Sequence, residues 1–254
     1  MANSKRQVAG QKGLYLYGVS RAAGKKQAGV TPARPGIDGV SAVQALPCGD
    51  FLCWVSDVDH SSFARAMESN LENLEWLALH SVRHQQVVGE IAAQTAIVPA
   101  RFGTVFSGEA ALLKNVLSRG AALKNVFERV ADADEWGVKV FAEKKTPPKV
   151  PAARSGKEYL QQKASQIKER PDRSDPELAK FAGALEKVAA DAAPSGKVSG
   201  TQPSLVWQAT FLVPRSRRRQ WEKVLGKFVE RWQGLRRIEV NGPWPPYSFV
   251  ADAE

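Results

Sequence analysis

Strand-like and helix-like segments alternate along the whole chain, and this alternation limits the fold more than any other feature of the sequence. Residues 13–20 are aromatic and branched, which predicts a buried strand. Strand-like residues on both sides of 47–50 predict a hairpin. Apolar residues then recur at helical spacing from Ser61 to about Ala93, with Ser61 or Ser62 as the cap and Ser81 near a possible break. Strands and helices in this order indicate the α+β class.

The rest of the first half completes a recognisable order of elements. Residues 21–39 are rich in Gly, Pro and Lys and predict a mobile loop. Residues 95–106 are strand-like, because Pro99 disfavours a helix, and residues 108–133 are helical with a kink at Gly120. The order strand, hairpin, helix, strand, helix allows split β-α-β units to form. We therefore predict a ferredoxin-like domain in residues 1–133.

The second half, residues 134–254, predicts another α+β domain. Strands are expected at 135–142 and 204–214, and a polar helical hairpin at 155–193, with a fresh start after Ser174. Few large apolar residues lie in 155–193, so the hairpin is expected to protrude from the sheet. Residues 215–234 predict an amphipathic helix with its apolar side chains on one face: Trp221, Leu225, Phe228, Val229 and Trp232.

The motifs of the chain do not indicate catalysis, a metal site or a cofactor. A two-residue hairpin turn would place Cys48 opposite Phe51 and Cys53 opposite Leu46, so we expect two reduced thiols that do not face each other. His80 and His84 have the spacing of two ligands on a helix, but no third ligand accompanies them and a structural role is favoured. No Gly-x-Ser-x-Gly motif is present, and the carboxylates are scattered. We expect a protein that is not an enzyme.

The net charge of +10 lies mostly in the second half of the chain. Residues 1–133 carry 14 Lys and Arg against 11 Asp and Glu, whereas residues 134–254 carry 22 against 15. The excess concentrates at Arg215, Arg217, Arg218 and Arg219, and again at 236–237. Such a cluster attracts nucleic acid, acidic protein surfaces or lipid headgroups, so a basic nucleic-acid-binding adaptor is the alternative function. A solvated start of a helix is the more common meaning of such a run.

The hydropathy of the chain favours a cytosolic protein. No apolar run approaches the ~20 residues that cross a bilayer. The first residues are basic without the apolar segment of a signal peptide, so we expect no export and no association with a membrane.

Several motifs, in order along almost the whole chain, resemble the gas vesicle GvpL/GvpF family. They are GLYLYGV near the start, VPARFGTVF at 98–106, EWGVKV at 135–140, SGKEYL at 155–160 and NGPWPPYSFV at 241–250, together with His84 and Val87. The sequence departs from the family in its long basic loop at 21–39, in Ala100 where the family usually has Leu, and in the arginine run at 215–219.

The resemblance implies a minor gas vesicle protein with two α+β domains, of which the first is ferredoxin-like. It implies binding to the small hydrophobic shell protein and to other accessory proteins, help with vesicle nucleation or assembly, and a cytoplasmic location on the vesicle. It implies no enzymatic activity, no cofactor, no small-molecule substrate and no specific nucleic acid.

The closing segment supplies candidate partner contacts. Pro243, Pro245 and Pro246 remove three backbone donors and hold Trp244 and Tyr247 on a stiff segment. Rigid aromatic side chains suit an interface, but the same rings equally suit packing on their own domain. We expect Arg101 to be half-buried and favour an internal pairing over a partner contact. The candidate partner-binding residues are Arg101, Phe102, Trp244, Tyr247, Phe249, Arg217, Arg218 and Arg219.

Overall fold

The computed structural model describes residues 12–22, 32–70, 72–143, 175–193 and 204–251. The chain divides into two compact units: Met1–Asp132 with Trp244–Glu254, and Ala133–Pro243. The sequence-based division put residues 134–254 into one domain, and it is wrong for the last segment. Tyr247 packs on the core of the first unit, and the carbonyl of Phe249 accepts a hydrogen bond from Arg129.

The first unit is built on an antiparallel sheet. Its strands are β1 (Lys12–Arg21), β2 (Val43–Cys48), β3 (Phe51–Asp59), β4 (Ile97–Pro99) and β5 (Val105–Phe106). Their order is β2-β3-β1-β4, with β5 also paired to β1. This order is compatible with the predicted ferredoxin-like arrangement. The predicted hairpin register is confirmed, because Cys48 lies opposite Phe51 and Cys53 opposite Leu46, and both thiols are free.

Helices cover both faces of this sheet. They are α1 (His60–Ser69), α2 (Leu74–Ala92), α3 (Glu109–Ser118) and α4 (Gly120–Val130). Tyr17 and Trp54 share a core cluster with the buried side of α2. Phe51 points to the opposite face of β3 from Trp54, and its ring stacks on Phe127 of α4 at 6.1 Å. With helices on both sides, all residues of β1 from 13 to 20 are buried, as predicted for this strand.

The helical boundaries agree with the sequence at one break and differ at another. The predicted kink at Gly120 is confirmed as the start of α4. The break expected near Ser81 instead lies between α1 and α2, because the side chain of Asn73 accepts a hydrogen bond from the Trp76 N–H and caps α2. The first helix starts at His60, so the predicted caps Ser61 and Ser62 fall within its first turn.

In its described part, the loop that was predicted to be mobile packs and hydrogen-bonds against the first unit. Residues 23–31 lie outside the described residues. In the following part, Ile37 is fully buried and its N–H donates to the Tyr17 hydroxyl at 2.6 Å. Arg34 and the N–H of Ala33 both reach the carboxylate of Glu90 on α2. The prediction of mobility is wrong for residues 32–39, because one apolar side chain and three hydrogen bonds hold them in place.

A pair of glycine substitutions tests this anchoring. A Cβ on Gly36 would lie 2.5 Å from Oγ of Ser56 and 2.9 Å from the hydroxyl of Tyr17. Because both groups are hydrogen-bonded, Gly36→Ala should lower the free energy of unfolding by about 1–3 kcal/mol. In the control, Gly89→Ala on α2, the added methyl meets nothing within 4 Å and should stabilise the helix by about 0.5–1 kcal/mol. Urea unfolding measures both, and equal effects would contradict the anchoring.

The second unit repeats the topology of the first. Its elements are β6 (Ala133–Ala142), α5 (Pro176–Glu186), β7 (Asp191–Ala193), β8 (Leu205–Pro214), α6 (Arg218–Arg231) and β9 (Arg236–Trp244). A short 3-10 turn, Arg215–Arg217, precedes α6. The strand order of this sheet is β7-β8-β6-β9. It matches the order β2-β3-β1-β4 of the first sheet, because in each unit the second strand is followed by the third, the first and the fourth, and β5 stands outside this order.

The predicted protruding hairpin lies mostly outside the described residues, but its last part is visible as α5. The fresh start after Ser174 is confirmed, because Asp175 caps the helix by accepting from the N–H groups of Glu177 and Leu178. Protrusion is wrong for α5. Leu178, Phe181 and Leu185 form one buried face against the sheet, so three well-spaced apolar side chains are enough to dock this polar segment.

The amphipathic helix α6 is largely as predicted. Trp221, Leu225 and Trp232 are buried, and Phe228 packs on the same cluster. The prediction is wrong for Val229, which is half exposed, because a position one residue beyond Phe228 lies about 100° further round the helix.

Candidate partner-binding surface

The closing segment divides between surface and core. Trp244, at the end of β9, exposes 43% of its surface. Phe249 is buried, and its carbonyl oxygen accepts a hydrogen bond from the Arg129 guanidinium at 2.5 Å. Tyr247 is half-buried, with its ring 6.2 Å from that of His84. Phe249 is therefore a wrong candidate for a partner contact and Tyr247 packs on its own unit, whereas Trp244 has the exposure that a contact requires.

The turn at residues 100–104 presents Arg101 to solvent. Arg101 is exposed, not half-buried as predicted. Its carbonyl accepts hydrogen bonds from the Thr104 hydroxyl at 2.8 Å and from the Thr104 N–H at 3.2 Å. Gly103 has φ +86°, and a Cβ there would lie 2.6 Å from the Met67 side chain, so this turn requires glycine. Phe102 is half-buried, with its ring perpendicular to that of His84 at 6.0 Å.

His84 lies at the centre of a buried polar network beneath this turn. The hydroxyl of Tyr15 accepts from the Gly103 N–H at 3.1 Å and lies 2.9 Å from Nδ1 of His84. A phenolic hydroxyl donates one hydrogen bond and accepts two, so the tautomer of the neutral imidazole decides whether Tyr15 or Nδ1 is the donor in this bond. Burial lowers the pKa of His84 to about 4, against a smaller opposing effect of the Ala100 backbone. The imidazole therefore stays neutral and serves the packing of the turn.

The histidines of α2 belong to no candidate metal site among the described residues. His80 lies one turn before His84 on α2, and its Nδ1 is 2.8 Å from the carbonyl oxygen of Trp76. Across the described part of the chain, no group of three or more His, Cys, Asp or Glu residues is placed to hold a metal ion.

Arginines of the 215–219 cluster form ion pairs and hydrogen bonds with other residues of the second unit. Arg215 pairs with Asp134 at 3.0 Å, and Arg218 with Glu222 at 3.0 Å. Arg218 also lies over the ring of Trp136, and Arg217 donates to the carbonyl of Val188 at 3.3 Å. Arg219 is exposed on α6. Acidic partners neutralise part of the charge that the sequence suggested, so this surface attracts phosphate less than the bare sequence implies.

The exposed face of α2 is a feature that the sequence reasoning missed. Leu74, Leu79 and Val82 expose 79%, 50% and 48% of their surfaces, and Ala78 lies exposed between them. The apolar periodicity that starts at Ser61 includes Leu74, if no break comes before Ser81. The break before Asn73 rotates α2, and its core face is then formed by His84, Val87, Val88 and Ile91. The spacing of 74, 78 and 82 by four residues was the available signal.

Comparison with known proteins supplies the identity of the fold and of the family. The family model described as gas vesicle synthesis protein GvpL/GvpF matches residues 13–251. The chain belongs to the GvpL/GvpF family. Gas vesicle protein L of Streptomyces sp. (strain CB03234) is 28% identical over 94% of this chain and 93% of that relative.

Two crystal structures of GvpF proteins share the fold. GvpF from Anabaena sp. PCC7120 superposes with a TM-score of 0.67 at 19% identity, covering 94% of this chain and 96% of that one. GvpF from Microcystis aeruginosa gives a TM-score of 0.64 at 19% identity, covering 94% and 98%. The predicted family and the mixed α+β class are thereby confirmed.

Membership of the GvpL/GvpF family gives this chain a role in gas vesicle formation, together with other gas vesicle proteins and in association with the vesicle. The family comprises gas vesicle structural and assembly proteins and is not known for enzymatic activity. Within the described ranges, no helix combines the length and the apolar character needed to cross a bilayer.

Proposed function

We propose that this protein binds the hydrophobic shell protein of the gas vesicle and supports vesicle nucleation or assembly without catalysing a reaction. The match to the GvpL/GvpF family over residues 13–251 carries the proposal. A protein that holds hydrophobic subunits before they assemble needs apolar surface of its own, because covering the subunits removes their apolar area from water.

The exposed face of α2 supplies such a surface. Leu74, Ala78, Leu79 and Val82 form a stripe along one side of the helix, and the charged residues Glu75 and Arg83 lie one turn before and one turn after Leu79. This stripe suits an apolar partner segment laid along the helix. Trp244, Arg101 and Phe102 are the further candidate contacts, since two of them are exposed and the third is half-buried.

A pull-down with purified shell protein tests the proposal. The wild-type chain should retain the shell protein, and the double variant Leu79→Gln with Val82→Gln should weaken binding by about tenfold, because two exposed apolar contacts are lost. Leu235→Gln on the second unit is the matched control, as Leu235 is equally exposed and should leave binding unchanged. Trp244→Ala measures the contribution of the closing segment.

Genetic deletion gives the second measurement. A clean deletion strain should lose its gas vesicles, and the α2 double variant should restore them poorly compared with Leu235→Gln. Normal vesicles in the deletion strain, or a wild-type chain that retains no shell protein, would contradict the proposal.

The alternative of a nucleic-acid-binding adaptor has less support from the geometry. Arg215 and Arg218 are paired with carboxylates, and Arg217 is bonded to a backbone carbonyl. The alternative requires binding that weakens steeply with salt, at a slope that falls when Arg217, Arg218 and Arg219 are replaced by glutamine. No binding to duplex or single-stranded probes at low salt would eliminate it.

A further inference from the structure

The exposed face of α2 carries a charge pattern that is complementary to itself. The exposed apolar side chains on this face, here named the α2 stripe, are those of Leu74, Ala78, Leu79 and Val82. Glu75 lies four residues before Leu79 and Arg83 four residues after it, so the three share one row along the helix. We propose that two copies of this chain associate through this face, with their α2 helices antiparallel.

A twofold axis beside Leu79 determines which residues meet. In an antiparallel pair of helices, a residue one turn before the crossing point faces the residue one turn after it on the other copy. A crossing at Leu79 therefore places Glu75 of each copy against Arg83 of the other. On the neighbouring row, Leu74 meets Val82 of the other copy. One symmetric contact thus contains two ion pairs and a continuous apolar centre.

The two charges favour the antiparallel arrangement over a parallel one. In a parallel pair, Glu75 would face Glu75 and Arg83 would face Arg83, and like charges repel each other. Ala78 favours a close approach, because the distance between two packed helix axes depends on the side chains at the contact. An unrelated apolar segment covers the α2 stripe without matching the two charges, whereas a second copy of the chain does both.

Both charges are positioned before the second copy arrives. Nη1 of Arg83 donates to the carbonyl of Ile37 at 3.2 Å, and a Cβ on Gly39 would lie 2.9 Å from Nη2. The loop thus packs against the guanidinium and holds it, and a held side chain loses less conformational entropy on binding. The bond to a neutral carbonyl leaves the positive charge in place to attract a carboxylate. Glu75 lies in the first turn of α2, where the helix dipole favours an acidic residue.

The association is expected to be weak and reversible. A contact between two single helices falls at the low end of protein interfaces, below about 1,200 Å² of buried surface. Exposed ion pairs add little affinity and mainly determine orientation. A weak dimer covers the α2 stripe in the free protein and yields it to the shell protein. This last consequence rests on the proposed function, because the same stripe is proposed there to bind the shell protein.

Exchange of the two charges tests the dimer. Sedimentation equilibrium from about 1 to 300 µM should show the wild-type chain passing from monomer to dimer. Glu75→Arg and Arg83→Glu should each weaken association by at least about tenfold, since each places like charges opposite one another twice. Glu230→Arg makes the same charge change on the exposed side of α6 and should dimerise like wild type.

Rescue distinguishes a contact between copies from an effect on the fold. The double variant, Glu75→Arg with Arg83→Glu, should dimerise like wild type, because its charges attract again with the signs reversed. An equimolar mixture of the two single variants should also recover the dimer. Loss of the Arg83 bond to Ile37 could not be repaired in either way, so a merely structural role of Arg83 predicts no rescue.

Three results would overturn the inference: a wild-type chain that stays monomeric over this range, single variants that dimerise like wild type, or no rescue in the double variant and the mixture. The pull-down separates the dimer from the proposed function. Glu75→Arg keeps the α2 stripe and should retain shell protein at least as well as wild type. A monomeric wild-type chain that retains shell protein refutes the dimer and leaves the proposed function standing. A dimeric chain that retains no shell protein supports the dimer and refutes the proposed function.

Discussion

Replacing Phe181 by alanine should lower the free energy of unfolding of the second unit by about 3–5 kcal/mol. The ring is fully buried and touches three other aromatic rings, those of Trp207, Phe228 and Trp232, at centroid distances of 5.4, 4.9 and 5.0 Å. Removing it leaves a cavity between α5, α6 and the sheet, and the aromatic contacts are lost with the buried area. An effect of this size is a large fraction of the stability of one domain.

Native-state hydrogen exchange of the β8 amides measures this effect within the second unit. Phe181→Leu keeps most of the volume and should cost about 1 kcal/mol. Lys180→Ala, on the exposed side of the same helix, should stay within about 0.5 kcal/mol. A Phe181→Ala variant as stable as Lys180→Ala would show that α5 is not part of the core and would restore the protruding hairpin predicted from the sequence.

Lowering the pH should destabilise the first unit through His84. The pKa of this imidazole falls from about 6.5 in the unfolded chain to about 4 in the folded unit. The unfolded state therefore binds more protons between these values. The contribution to stability is complete above pH 6.5 and is lost as the pH falls towards 4. The expected loss is about 3 kcal/mol across that window.

The difference in pH dependence between wild type and His84→Gln separates the effect of His84 from the titration of carboxylates. His84→Gln is less stable at pH 7, because it disturbs the bond to Tyr15, but its stability should fall less steeply from pH 6.5 to 4. Leu79→Gln, an exposed substitution on the same helix, should keep the wild-type slope. Hydrogen exchange of the β1 amides supplies the free energies. Parallel profiles for wild type and His84→Gln would refute the assignment of a buried neutral histidine.

Local patterns in the sequence predicted the parts of the fold that nearest neighbours control. The two-residue turn at Gly49–Asp50 determined the register of the β2–β3 hairpin, because a strand pairing must close through its turn. Gly120 marked the end of one helix and the start of the next. The family was also predictable, since its motifs lie in order along the chain and residues 13–251 match its model.

The candidate surface was predicted less well, because exposure depends on how elements are oriented. Of the three closing aromatic residues, Trp244 is the exposed one, whereas Tyr247 and Phe249 pack inward. The break before Asn73 turned Leu74 outward, against the helical periodicity read across it. Arg101 and Arg119 come from separate elements and line one cavity of the first unit, and no sequence spacing relates them.

By itself, the sequence determined the α+β class, the family, most strands and helices, and the turn chemistry, since these depend on periodicity, propensity and short-range hydrogen bonds. Tertiary structure alone decided that residues 244–251 belong to the first unit, that α5 docks on its sheet and that Ile37 anchors its loop. Each of these depends on which distant side chains share a buried volume. Burial is a property of the whole packed unit, so a local pattern cannot specify it.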